Sequence, residues 1–330
     1  MKAFMKTETC TLSTLTPIHI GSGEDYYPTN YVIDDGYLHY FGEMQMLQAL
    51  SEPDLNQLAR IAEEKHGQAA LQQIQAFVHE RRQTLKQYSA HVLPASDGVE
   101  RLYQDRIGQT AQRETGGRNI SNQLAIQRSS FNPHSQIPYL PGSSVKGAIR
   151  TALLDTLNDG RRLKRVTDPK THQERPQNNL ELQQDLLRFS ARNLEDDPLR
   201  LLKVGDAEYR HGDGLNGLEI RFAVNRKRKP SDKPTRADNG PPILLECLAA
   251  ARSQAFQMAL TLQNGDPLKE LSAKLPFSDF PGLAASCNRF YLKQRESALK
   301  RLPGLGYVPR GCAESLSSLL KGEWGRRCGK

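Results

Sequence analysis

The run Pro138-Tyr139-Leu140-Pro141-Gly142-Ser143-Ser144-Val145-Lys146-Gly147-Ala148-Ile149-Arg150 constrains the fold more than any other part of the chain. Tyr139 and Leu140 read as a strand end, Pro141-Gly142 as a turn, and residues 145–157 as a helix with apolar side chains at helical spacing. A Pro-Gly turn and two serines opening a helix leave backbone N–H groups free. Those groups and the positive end of the helix dipole suit a phosphate. Lys146 and Arg150 stand four apart, on one helical face near that same end. A well-capped helix with an exposed basic face would carry the same residues. The run is not a nucleotide P-loop, which needs Gly-Lys followed by Ser or Thr; here Lys146 precedes Gly147 and Ala148 follows it.

Strand and helix patterns alternate on both sides of this run. Residues 6–15 read as a strand entering Thr16-Pro17-Ile18-His19-Ile20-Gly21-Ser22-Gly23-Glu24, whose glycines permit a tight turn or close backbone approach. Residues 31–40 predict a hairpin turning at Asp35-Gly36. Helical spacing then holds from about 44 to 88. Ser51 and Pro53 start a helix carrying Leu55, Leu58, Ile61 and Ala62, and a second helix carries Leu71, Ile74, Phe77, Val78 and Leu85. Residues 97–117 are ambiguous, and 124–128 predict a short strand. Further helices are expected at about 180–193 and 284–301. Strands are expected at 201–204, 218–224 and 243–248, with 256–262 as the neighbour of the last. This interleaving favours α+β or α/β sandwiches with one sheet face covered.

The 330 residues suffice for two ordinary domains or one large one. No run approaches the roughly 18–20 apolar residues a membrane helix needs, and the first residues carry no signal-peptide apolar segment. A soluble, cytoplasmic protein is expected. The net charge of +8 is concentrated in two stretches. Residues 160–176 hold Arg161, Arg162, Lys164, Arg165, Lys170 and Arg175 against Asp168 and Glu174. Residues 225–242 hold Arg226, Lys227, Arg228, Lys229, Lys233 and Arg236 against Asp232 and Asp238. Basic loops on a neutral body attract polyanions, nucleic acid first among them, although charged loops also serve solubility. Cys10, Cys247, Cys287, Cys312 and Cys328 never form a CxxC pair, and the histidines show no zinc-finger spacing. Reduced thiols and no metal are expected.

The run from Pro141 to Leu153 resembles the shared motif of the RAMP superfamily of CRISPR-associated proteins. The stretch Leu15 to Glu24, followed by Pro28 and Tyr31-Val32-Ile33, resembles more narrowly the fifth-subunit family of the type III-A (Csm) effector complex. Leu202-Lys203-Val204-Gly205-Asp206 and Leu244-Leu245-Glu246 resemble later landmarks of that family. Gly304 to Gly311 and Trp324-Gly325-Arg326-Arg327 stand where its members carry a Gly-rich loop and short tail, at looser spacing. The resemblance implies an α+β fold of two RRM-like (ferredoxin-type) modules with helical and loop insertions. These would be residues 1–158, with the helical insertion at about 44–88, and residues 159–330, with the basic loops. It also implies a non-catalytic subunit without cofactor that caps the 3′ end of the guide RNA (crRNA) and the end of the backbone filament, supporting crRNA maturation and antiviral defence. Partners would be the crRNA, other Csm-type subunits, especially the terminal backbone subunit and the small subunit, and a host trimming nuclease. The RNA-contacting residues expected are His19, Gly21, Gly23, Gly142, Ser143, Ser144, Lys146, Arg150, Arg226, Lys227, Arg228 and Arg310.

Two residues carry rival chemistry. His19, beside glycines, suits a general base acting on a ribose 2′-OH in metal-independent RNA cleavage, and equally suits a loop-orienting or base-stacking role. Asp206 ends a strand, with Glu208 two residues on as the only carboxylate pointing the same way, a thin basis for metal-assisted cleavage. Trp324, among Arg326, Arg327 and Lys330, fits either base stacking or a tail anchor.

Overall fold

A computed structural model describes residues 4–108, 124–210, 217–224 and 243–301. The first half runs β1 (Met5–Thr14), β2 (Gly21–Tyr26), β3 (Tyr31–Asp34), β4 (Tyr37–Tyr40), α1 (Glu43–Ala49), α2 (Glu52–Glu64), α3 (Gln68–Glu80), α4 (Arg82–Lys86), β5 (His91–Pro94), α5 (Asp97–Arg106), β6 (Ile126–Ser129) and β7 (Tyr139–Leu140). The second half runs α6 (Gly142–Asn158), β8 (Arg165–Thr167), β9 (Glu174–Pro176), α7 (Asn179–Leu187), β10 (Leu202–Val204), β11 (Ala207–Tyr209), β12 (Leu218–Ala223), β13 (Ile243–Leu248), β14 (Arg252–Gln263), α8 (Lys269–Ser272) and α9 (Phe280–Arg301). The fold is mixed α+β. One sheet has the order β1-β14-β11-β7, with β10 also on β14.

By contact density the chain forms two units, Met1–Thr11 with Leu140–Ala207 and Gln257–Lys330, and Leu12–Tyr139 with Glu208–Phe256. This division differs from a cut after residue 158. That position is where Asp159 ends α6 in the left-handed region (φ 47°), and chain on both sides of it belongs to the first unit.

In the first unit α6, α7 and α9 bury Leu153, Leu187, Leu199, Leu202, Leu262, Phe277, Phe280 and Leu283 in one cluster. Each such side chain contributes about 1.5–3 kcal/mol. β10 lies antiparallel on β14 in the register Leu202↔Leu262, Val204↔Leu260. The first basic stretch contains a hairpin, β8 on β9, with Thr167 opposite Glu174.

In the second unit β12-β13-β6-β2 form a sheet whose central pair, β13 and β6, is parallel (Leu244↔Ile126), with antiparallel strands outside. That is the pairing pattern of a ferredoxin-type sheet. The expected hairpin is β3–β4, and its turn residues Asp35 (φ 52°) and Gly36 (φ 78°) give the doubly left-handed geometry that matches strand twist. Helices α1–α4 occupy the predicted insertion and bury Phe41, Leu50, Phe77, Val78 and Leu85 against Val32. Ser51 caps α2 by accepting from the Asp54 amide. Leu85 falls in α4 rather than α3, because the helix breaks at Arg81 (ψ 13°), and Leu71 is exposed. β14 is not the neighbour of β13, which pairs with β12 and β6. Ala251 (φ 56°) between the two strands and Gln254 (φ 48°) near the start of β14 take the chain out of ladder geometry.

Candidate nucleic-acid interface

The helix expected at Val145 starts three residues earlier, with Pro141 as its N-cap. Gly142 and Ser144 therefore sit inside its first turn, and their amides are committed. The Gly142 N–H donates to Asp206 Oδ1 at 2.7 Å, and the Ser144 N–H to the Pro141 carbonyl at 2.9 Å. Asp206 supplies the negative charge that the positive helix end favours. Its approach demands glycine: a Cβ on Gly142 would lie 2.3 Å from the Val204 carbonyl oxygen and 2.6 Å from that of Gly205. Ser143 and Ser144 are exposed.

Lys146 and Arg150, equivalent in the sequence, have different surroundings. Arg150 donates from Nε to Gln183 Oε1 (2.6 Å) and pairs through Nη1 with Asp197 (2.8 Å), its guanidinium 5.8 Å from the Phe189 ring centre. Lys146 is half-buried and has neither hydrogen bond nor ion pair among the described residues. Its burial, and then the charge of Lys203, hold its ammonium below the ordinary lysine range. A cation so placed accommodates an incoming anion without breaking an existing pair.

In the other unit Gly21 and Gly23 lie in β2 rather than a loop. The strand's register against β6 shifts between Gly21 and Asp25, and Gly23 takes φ 86°. His19 Nδ1 lies 2.8 Å from the Glu246 carbonyl oxygen, which only accepts, so Nδ1 carries a proton, and in the neutral imidazole the lone pair falls on Nε2. Its other hydrogen-bond neighbour is Ser129 Oγ at 3.4 Å; among the described residues no titratable side chain bonds to it.

Below His19 lies a polar cluster that the sequence does not announce. Glu246, 1% exposed, accepts from Tyr26 OH (2.6 Å) and from the Ser129 amide (3.0 Å). Burial pushes its carboxyl up, partly offset by the Tyr26 bond and the nearby Arg128 charge. His91 Nε2 meets Tyr26 OH at 3.0 Å, and burial pushes this imidazole down to about 4. Since Tyr26 donates to Glu246, His91 donates to Tyr26. The Arg128 side chain, 9% exposed, lies with its guanidinium 3.7 Å from the Phe131 ring centre and 4.6 Å from that of Tyr26. It reaches Gln136 Oε1 at 3.0 Å and Glu24 Oε2 at 3.3 Å, while its buried Nε has no partner. The one sequence signal for this cluster is Glu246 itself, a carboxylate inside an apolar strand.

Three of the six cations of the first basic stretch are in ion pairs, partly within its own hairpin and partly with α7. Lys164 pairs with Asp185 (2.7 Å), Arg165 with Glu174 (2.9 Å), and Arg175 with Asp168 (3.0 Å) and Glu181 (2.7 Å). Arg161 donates to the carbonyls of Leu157 and Asn158 at the end of α6. Arg162 and Lys170 have no ion-pair partner among the described residues. Arg226, Lys227, Arg228, Arg310 and Trp324 lie outside the described residues, as does the second basic stretch. Burial raises the thiols of Cys10, Cys247 (to about 11) and Cys287. Among the described residues no group of three His, Cys, Asp or Glu could hold a metal, and no helix is long and apolar enough to cross a membrane.

The family model described as RAMPs, the RAMP superfamily, matches residues 11–307. A curated relative from Streptococcus thermophilus, named CRISPR system Cms protein Csm5, is 28% identical over 171 residues. That match spans 47% of this chain and 40% of the relative, less than half of the relative's own length. The crystal structure of T. onnurineus Csm5 superposes with a TM-score of 0.55 at 15% identity, over 95% of this chain and 87% of that one. A chain in the cryo-EM structure of a Csm-crRNA-target RNA ternary complex of a type III-A CRISPR-Cas system gives a TM-score of 0.51 at 17% identity, over 94% and 81%. At these identities the two structures show a shared fold.

Proposed function

The chain belongs to the RAMP superfamily, and from that premise we propose that it is a crRNA-binding subunit of a type III-A (Csm) CRISPR ribonucleoprotein that holds the RNA without cutting it. Its place is the 3′ end of the guide and the end of the backbone filament, beside the terminal backbone subunit and the small subunit, in the cytoplasm. There it supports crRNA maturation and antiviral defence.

The observation that carries this reading is Lys146 in the family's own motif, a half-buried cation with no hydrogen bond or ion pair among the described residues, beside the like charge of Lys203. Guide sequences vary, so contacts of this kind are to phosphate rather than to base. The relatives named Csm5, and the fold shared with a chain of a crRNA-containing complex, support the same assignment. A second reading, a guide-processing endoribonuclease, draws on the His19 tautomer, which leaves Nε2 able to take a proton. Against it stands the lack of a second acid–base side chain bonded to His19 among the described residues.

Fluorescence anisotropy of a 3′-labelled single-stranded guide RNA, followed in time and titrated with salt, separates the readings. A stable rise is expected, with log K falling by about 0.7 per phosphate contact for each tenfold increase in salt. A rise that decays as label is released, lost in His19→Ala, would establish the ribonuclease. No rise at all would remove direct RNA binding and leave a protein scaffold.

A further inference from the structure

We propose that the Glu24 carboxylate is a displaceable occupant of an anion site on the Arg128 guanidinium, and that a phosphate group takes its place. The identification of that phosphate as one from bound RNA rests on the function proposed above.

The two partners of this ion pair are unequally held. The Arg128 side chain is 9% exposed, with its guanidinium between the rings of Phe131 and Tyr26 and anchored to Gln136. Its orientation is set by that stacking, whatever Glu24 does. Glu24 is 62% exposed, and its contact with Nη1 is a long 3.3 Å. No other side chain bonds to its carboxylate among the described residues. A solvent-reaching carboxylate at that position means that an anion arriving from solvent can reach the same Nη1. Arg128 also has donor capacity to spare, because its buried Nε is unpartnered.

The backbone beneath Glu24 permits the exchange. Gly23 precedes it at φ 86°, and the β2–β6 ladder is interrupted between Gly21 and Asp25. Glu24 is thus released from regular pairing, and its carboxylate can rotate away by giving up its 3.3 Å contact with Arg128 while its amide keeps the bond to Ser22 Oγ (3.2 Å). A phosphate is the better occupant, since a planar guanidinium binds phosphate oxygens in a fixed fork. Gly21 and Gly23, on the same strand as Glu24, are among the residues that the family resemblance expects to touch RNA.

The test compares Glu24→Gln with Asp25→Asn in the full-length protein. The two remove the same charge from adjacent residues, but only Glu24 meets Arg128. Removing a competing exposed carboxylate should tighten guide RNA binding by about two- to fivefold. Asp25→Asn should produce less than half of that change. Equal effects in the two variants would mean general electrostatics and would overturn the proposal, as would an unchanged or weaker Glu24→Gln. Inorganic phosphate serves as a second probe in thermal melts. A phosphate-dependent rise in Tm specific to Glu24→Gln, in a protein that binds no guide RNA, would keep the anion site and discard the RNA reading. No Glu24-specific response to either probe would discard the site. Arg128→Gln, if it folds, should abolish the Glu24 effect.

Discussion

Each unit contains a carboxylate bonded to a backbone amide, and the two have opposite consequences. In the first unit Asp206, exposed, accepts from Gly142 at the start of α6. In the second, Glu246, buried, accepts from Ser129 on β6. Water completes the solvation of Asp206, so the helix start needs nothing more and Lys146 nearby stays unpaired. Glu246 is shut off from bulk solvent, and an uncompensated buried charge is too costly to persist. It therefore draws in Tyr26, and through it His91, with Arg128 supplying the opposite charge. Exposure leaves bonding capacity for a ligand; burial consumes it. By this comparison the arrangement in the first unit is suited to recognition, and most of the cluster in the second is suited to stability, with Arg128 at its rim as the exception.

The strongest way to break the comparison is to delete both carboxylates. Glu246→Ala should cost about 3–5 kcal/mol by orphaning Tyr26, Ser129 and Arg128. Asp206→Ala should cost about 0.5–2 kcal/mol, as for loss of a cap. Urea unfolding measures both, and equal losses would refute the distinction. Next comes pH. Because burial lowers His91 to about 4, the folded state favours its neutral form. That contribution is complete above about pH 6.5 and is lost as pH falls toward 4, by roughly 3 kcal/mol. Glu246, pushed up, acts in the opposite sense, favouring the fold at lower pH, but it does so in wild type and variant alike. His91→Gln should thus flatten the difference in stability between pH 7 and pH 4 relative to wild type. The smallest effects sharpen the contrast within α6. Arg150→Met should cost about 1–3 kcal/mol by removing charged hydrogen bonds. Lys146→Ala should stay within about 0.5 kcal/mol while lowering the salt slope of RNA binding by about 0.7. A stability loss at Lys146 equal to that at Arg150 would make both structural.

Much of the fold was legible because local chemistry decided it. Asp35-Gly36 could only turn one way, Ser51 with Pro53 marked a helix start, and the Pro141–Arg150 run placed α6. What failed depended on distant partners. Adjacency in sequence does not reveal the partners of β13, because β12 and β6, with which it pairs, lie elsewhere in the chain. Arg150 looked like Lys146 because Asp197 and Gln183 lie far along the chain. The amide expected to be free at Gly142 is committed for the same reason, with Asp206 arriving from 64 residues away, whereas that of Ser144 is taken up locally by Pro141 because the helix starts earlier than expected. The basic character of residues 160–176 is plain in the composition, but three of its six cations are held in ion pairs, partly within the hairpin and partly with Glu181 and Asp185 of α7.

The make-up of the first unit sets an order of events during synthesis. Its segments come from the start, the middle and the end of the chain, and Thr7 Oγ1 meets Thr261 Oγ1 at 2.8 Å across 254 positions. A ribosome must therefore release almost the whole polypeptide before this unit can close, whereas every segment of the other is already made once Phe256 has emerged. Until then β1 is an unpaired strand, exposed to association with other nascent chains. Deleting either β1 or α9 should dismantle the same unit, the one that holds Lys146.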